Sequence, residues 1–277
     1  MAQPIRRKRT VKKNKPRFFG KWFLVVFSFF LLLIITIGIY KFRDGFLYYL
    51  GFKTDKYANE LSADERKLTD IRIYEVLHKH DNKAIGFDVS EYQSEIDWEQ
   101  TYHIDEAFEL SFVFIRSTAG KDTIDSKFKE NWKAAKERQL IRGAYHYYRP
   151  NENSIEQAEN FIKTVKLQKG DLPPVLDIEK LPKSQSIDSL KVGLRRWLNR
   201  IEKHYKVKPI IYSGESYYTD FLKEEFSEYP LWIANYNFWR NDLESDWQFW
   251  QFTEKAQIEG IKGMVDINIF NGDKNKL

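Results

Sequence analysis

From Ala84 to the end of the chain, short apolar runs alternate with segments of helical periodicity, and this alternation restricts the fold more than any other feature. Strands are predicted at Ala84–Val89, Phe112–Thr118, Ile141–Tyr148, Pro174–Glu179 and Pro209–Ser213. Helices are predicted at Trp98–Glu109, Ser126–Arg138, Ser154–Val165, Asp188–Tyr205 and, shorter, Glu215–Lys223. Three more strand-like runs follow closely, at Leu231–Tyr236, Trp247–Thr253 and Met264–Phe270, with gaps too short for helices of much length. Five βα units followed by three strands predict an α/β fold, an irregular TIM-like (β/α) barrel. An open doubly wound sheet is the alternative. It would normally bring a glycine-rich phosphate loop, and neither G-x-G-x-x-G nor G-x-x-x-x-G-K-[ST] occurs.

In a barrel, chemistry collects where the strands end. Reading those ends in order gives Asp88, Ser117/Thr118, His146/Tyr148, Asp177/Glu179, Tyr212, Asn235/Tyr236, Gln251 and Asp266. Apolar strand bodies thus finish in polar or aromatic residues. The strongest local signal is Pro174-Val175-Leu176-Asp177-Ile178-Glu179. Strand side chains alternate faces, so Asp177 and Glu179 point the same way, with Leu176 and Ile178 opposite. Neighbouring carboxylates resist double ionisation, which leaves one protonated and one charged, the pair that glycosidic bond cleavage uses. Asp88 and Asp266 add two acids from the first and last strands, which adjoin in a closed barrel. A metal site would want further ligands, and His146 is the one histidine at a strand end; no metal and no cofactor are expected. A Ser/His/Asp hydrolase would want a G-x-S-x-G elbow, which Ser213-Gly214 lacks.

Composition narrows the classes further. The absence of cysteine removes disulfides, thiol nucleophiles and zinc–thiolate sites together. Nine of the 45 Lys/Arg lie in the first 21 residues, which carry no acid, leaving 36 basic against 40 acidic residues in the remainder. The basicity belongs to a tail, and nucleic-acid binding by the main domain is disfavoured. Aromatic residues make up 16% of the chain, a weak pointer to sugar binding.

Trp22 to Tyr40 is a run of 19 residues without a charge, long enough to cross ~30 Å of hydrocarbon as a helix. Nine basic residues precede it, while Lys41 and Arg43 follow with Asp44 beside them. The positive-inside rule then predicts residues 1–21 as a basic cytoplasmic tail, 22–40 as a transmembrane signal anchor in the lipid bilayer, and everything later outside the cytoplasm. A cleaved signal peptide would have a shorter apolar region and a small-residue cleavage site. Residues 41–83 read as a connector, with a capping box at Ser62-Ala63-Asp64-Glu65 starting a short helix to about Ile71. Beyond it Ile71, Ile73 and Val76 fit an extended segment equally, and His78 and His80 are expected to be solvated. Residues 84–277 form the predicted catalytic domain, and a monomer is expected.

These residues carry a resemblance. Gly86-Phe87-Asp88-Val89-Ser90 with Gln93 is similar to the opening G-I-D-V-S-x-x-Q of the glycoside hydrolase family 25 muramidases, the Chalaropsis-type lysozymes. Ile96-Asp97-Trp98, the F-V-F-I-R-S-T-A-G run of Phe112–Gly120 and Gly143-Ala144-Tyr145-His146-Tyr147 resemble later segments of that family. So do the L-D-x-E motif at Leu176–Glu179, Pro230–Tyr236, and Trp250-Gln251-Phe252 followed by Val265–Phe270. In order, they span about 190 residues. Arg116 and Ala119 depart from the family's usual Lys and Glu, Phe87 from its Ile, and Ser94 from its Gly.

The resemblance implies an irregular barrel and cleavage of the β-1,4 bond between N-acetylmuramic acid and N-acetylglucosamine in peptidoglycan glycan strands. It implies Glu179 as general acid/base and Asp177 as the group that orients the substrate's own N-acetyl group, with retention of configuration. A direct carboxylate nucleophile stays open. Asp88 and Asp266 would tune charge and bind sugar, and Tyr145, Tyr147, Tyr212, Trp232 and Gln251 would line the site. The chain ends four residues after Asp273, so the anchor is expected to supply localisation in place of a wall-binding module. A catalytically silent peptidoglycan-binding protein and a chitinase-like glycosidase are the rival readings. The intact acids oppose the first, and the lack of D-x-x-D-x-D-x-E opposes the second.

Overall fold

The computed structural model describes Trp22, residues 26–33, 35–36, 61–104 and 106–277. It divides into two units, Met1–Leu50 and Gly51–Leu277. In the first, the described residues are helical, and Phe27, Phe29, Phe30 and Leu32 are exposed. The predicted tail, most of the predicted anchor and residues 41–60 lie outside the described residues. No helix among the described residues is long and apolar enough to cross a membrane.

The second unit is a closed barrel. Its staves are β1 (Ile85–Val89), β3 (Phe108–Ala119), β5 (Ile141–Tyr147), β6 (Val175–Asp177), β7 (Ile210–Gly214), β8 (Leu231–Ala234), β9 (Phe249–Ala256) and β10 (Val265–Phe270). Neighbours pair around the ring, and β1 closes it by pairing both β10 and β3. All neighbours run parallel except β10, which is antiparallel to β9 and to β1. Two short strands lie off the ring, β2 (His103–Ile104) and β4 (Thr123–Ile124), each antiparallel to β3.

Alternation along each strand sorts the side chains into two cores. Phe112, Phe114, Val175, Ile210, Trp232, Phe249 and Phe270 fill the barrel interior. Alternate residues such as Phe87, Val113, Leu176, Ile211, Ile233 and Ile267 face outward into a second core under the helices. The interior is crowded enough to demand glycine on two staves. A Cβ on Gly86 would lie 2.5 Å from the Phe112 ring, and one on Gly143 2.5 Å from the Phe114 ring.

The predicted helices form after β3, β5 and β6, as Phe128–Glu137, Ser154–Thr164 and Ile187–Tyr205. The segment after β7 is helical to Phe226 with a π-turn at Tyr218–Leu222. The helix expected over Trp98–Glu109 does not form. Asp97 caps its own turn there, accepting from the Glu99 N–H and the Gln100 amide, and its N–H donates to the Gly260 carbonyl. Glu106 then takes a left-handed φ of 56°, and the chain returns as the β2–β3 hairpin. Side-chain competition for backbone groups and a long-range strand contact outweigh a weak helical period.

An additional helix covers the barrel from before the first strand. A helix, α1 (Ala63–Lys79), starts at the expected capping box but runs eight residues past Ile71. Ile73, Val76 and Leu77 are buried helix residues that join the outer core, which replaces the extended alternative. Buried Arg72 donates to the carbonyls of Phe252 (2.6 Å), Asn237 (2.8 Å) and Phe238 (3.3 Å), and burial lowers its pKa to about 10. His80 is buried too, not solvated, with Nε2 3.0 Å from the Asn241 carbonyl. So α1 packs along β9 as a barrel helix would.

Candidate active site

The site lies at the end of the barrel where the parallel strands finish. Asp88 ends the inward face of β1, Asp177 ends β6, and Tyr145 and Tyr147 end β5. Register places Tyr147 beside Asp177, Asp177 beside Tyr212, and Tyr212 beside Trp232. Gln251 sits beside Ala234, at the level where β8 finishes. Asp266 reaches this rim by a different route from the one predicted. It stands near the start of β10, not the end, and the reversal after β9 sets it directly opposite Asp88. Eight of the nine residues singled out from the sequence therefore lie on the inner face of the staves, and Glu179 follows just beyond β6.

Glu179 lies two residues past the end of β6 and is half-buried. Its position is set by its neighbour: the Ile178 N–H donates to the Tyr212 carbonyl (3.0 Å), and the Ser213 hydroxyl donates to the Ile178 carbonyl (2.8 Å). Burial, and behind it the Glu179 and Asp177 charges, pushes the Tyr147 phenol up. Burial likewise pushes the Tyr145 phenol well up; Arg116 opposes this, while Asp88 and Asp177 add to it. Both tyrosines are therefore neutral hydrogen-bonding groups set among carboxylates.

Asp88, Asp177 and Asp266 are only 7%, 4% and 5% exposed, a burial that an ionised group tolerates only with donors at hand. For Asp88 the donors are two amides on one oxygen. Gln251 Nε2 donates to Oδ2 at 2.7 Å and Asn268 Nδ2 at 2.9 Å. Gln251 Oε1 accepts from Tyr212 (2.7 Å) and from Tyr236. Asn268 Oδ1 accepts from the Trp232 indole (2.7 Å). Trp232 is a floor, not an open platform: it is 2% exposed, stacked 4.2 Å on Phe114 and edge-on at 4.5 Å to Tyr212.

Asn268 is absent from the candidates drawn from the sequence, although strand alternation places it on the face of Asp266. Arg116, noted there only as a departure, is turned inward and clasped. It donates to Asp125 (2.8 Å) and Glu91 (2.7 Å) and lies 4.5 Å over the half-exposed Tyr92 ring. Ala119, the other departure, pairs with Tyr147 at the rim.

His146 does not join the site. A bulge around Ser117 pairs Arg116 with Tyr145 and Thr118 with His146, and His146 faces the outer core. Its Nδ1 lies 2.7 Å from the Thr118 hydroxyl, its Nε2 3.1 Å from Gln157 Oε1, and its ring stacks at 5.5 Å on Trp197. Gln157 Nε2 donates elsewhere, to the Arg149 carbonyl, so its oxygen faces His146 and the imidazole proton sits on Nε2. Burial lowers the His146 pKa from 6.5 to about 4. The sign follows: the folded pKa is depressed, so its contribution is complete above pH 6.5 and is lost as pH falls towards about 4. The expected size is about 3 kcal/mol. In urea unfolding, His146→Gln should narrow the stability difference between pH 7 and pH 4; an unchanged difference would refute this.

Paired carboxylates under a ring of hydrogen-bond donors, set above an aromatic floor, are the equipment for breaking glycosidic bonds. The molecule is a glycoside hydrolase. The family model described as "Glycosyl hydrolases family 25" matches residues 87–261, and the chain belongs to that family. It is 41% identical over 194 residues to the uncharacterized protein YegX of Escherichia coli K12, covering 69% of this chain and 71% of that one. Lysozyme M1 of Streptomyces globisporus is 31% identical over 207 residues, 69% of each chain. Among solved structures, a family 25 glycosyl hydrolase from Bacillus anthracis aligns with a TM-score of 0.63 at 29% identity, over 71% of this chain and 92% of that one. A lysozyme from Streptomyces coelicolor aligns with a TM-score of 0.63 at 28% identity, over 70% and 95%.

Proposed function

We propose that this glycoside hydrolase is a muramidase that cleaves the β-1,4 bond between N-acetylmuramic acid and N-acetylglucosamine in peptidoglycan. The observation that supports the reading is Asp177 at the end of β6, with Glu179 two residues beyond it, and Asp88 opposite Asp266 on adjoining staves. The lysozyme relatives supply the substrate class. Glu179, half-exposed at the rim, protonates the departing glycosidic oxygen and later activates water. Asp177, buried one pleat deeper, orients the substrate's acetamide for attack on the anomeric carbon, so configuration is retained. Tyr145, Tyr147 and Tyr212 line the cleft over the Trp232 floor.

The test is to digest isolated peptidoglycan with the full chain and identify the new reducing ends. Muramic acid ends, released first as the β-anomer, are expected. Glucosamine ends would point to a different glycosidase, and no new ends to a silent binding protein.

The same proposal places the enzyme at the cell membrane, N-terminus in the cytoplasm and barrel outside, held through residues 22–40. It rests on the uncharged run and the nine basic residues before it. Protease added to sealed spheroplasts should remove the barrel and spare the tail; a protected barrel would reverse the topology.

A further inference from the structure

One of the two amides on Asp88, that of Asn268, has its direction fixed from outside. An indole N–H can only donate. The Asn268 atom 2.7 Å from Trp232 is therefore Oδ1, and Nδ2 must face Asp88. On the other side, Gln251 Nε2 donates to the same Asp88 oxygen, while its Oε1 accepts from Tyr212 and Tyr236. Two NH2 groups converge on Oδ2, and neither can accept a proton from it. Two such donors on one oxygen favour the charged carboxylate.

This matters because Asp88 is crowded by other acids. Asp266 stands opposite it on β10. Asp177 on β6, Tyr145 on β5, and Arg116 on β3 with its partners Asp125 and Glu91 are the other titratable or charged groups around this part of the mouth. Acids so close share protons unless donors single one out.

We propose that Gln251 and Asn268 are positioning residues that favour the ionised form of Asp88 in the acidic mouth, with the Trp232 indole setting the polarity of the Asn268 amide. The ionised Asp88 supplies a fixed negative charge to the positive charge that develops at the sugar ring, without a proton moving at that moment. The inference rests on the muramidase reading above.

The test compares full-chain wild type, Asn268→Ala and Gln251→Met on soluble oligomers of alternating N-acetylmuramic acid and N-acetylglucosamine across pH. Each variant removes one donor from a different strand. Losing a donor to the carboxylate should raise the pH at which kcat/KM falls on the acid side by about one unit. The two shifts should have the same sign, and Gln251→Met nearly conserves side-chain volume. If either variant folds and loses rate with its acid limb unmoved, the amides are only structural and the inference fails. Inactive wild type would instead refute the muramidase reading.

Discussion

Glu179→Gln should reduce peptidoglycan hydrolysis about 1,000-fold while leaving the melting temperature unchanged. Gln keeps the shape and length of Glu but has no proton to give. A sugar alkoxide is a poor leaving group, so the transition state depends on that proton. The fold does not depend on it. The chain at this point is held by the Ile178 backbone and by Ser213, and the Glu179 side chain is half-exposed. The loss should shrink on an aryl glycoside, whose leaving group departs without protonation. A loss below about tenfold on peptidoglycan would move the acid role to another carboxylate. Equal losses on both substrates would argue for a charge-stabilising role instead.

A chain that begins at Ala84 should fail to fold, whereas one that begins at Leu61 should melt like the full chain. The family motifs, and the family match from residue 87, both invite a boundary near 84. Packing places it earlier. Removing α1 uncovers the outer core where Ile73, Val76 and Leu77 are 3%, 0% and 0% exposed. At roughly 1.5–3 kcal/mol for each such side chain, about 5–9 kcal/mol is lost, comparable with the ~5–15 kcal/mol that holds a domain folded. The carbonyls of Phe252, Asn237 and Phe238 also lose Arg72. Those last two residues follow directly on Tyr236, which donates to Gln251 in the mouth. A soluble 84–277 fragment with the melting temperature of the full chain would refute this role for α1.

Much of this was open to reading before any fold was known, wherever the governing interaction is local. A strand repeats every two residues, so apolar and polar residues on each stave had to separate into core and mouth; the predicted strand to Glu179 ends instead at Asp177. A capping box spans four residues, so Ser62 and Glu65 marked the start of α1. The charge of the first 21 residues and the uncharged run after them are likewise properties of the sequence alone.

What the sequence could not determine were pairings between distant segments. Its period could not say that β10 runs backwards, because direction is chosen by the length of the β9–β10 turn and by pairing with β1. Trp98–Glu109 keeps a helical pattern but answers to Gly260, and α1 outlasts its predicted end because β9 offers it an apolar wall. A bulge around Ser117 brings Thr118 opposite His146 on the outer side, a pairing that the period of neither strand shows. The cradle of Asp88 belongs here too: Gln251 and Asn268 lie 163 and 180 residues away from it in the chain. The residue types at the mouth follow from the sequence and its two-residue period. The donors that surround Asp88 come within hydrogen-bond reach only when the barrel closes.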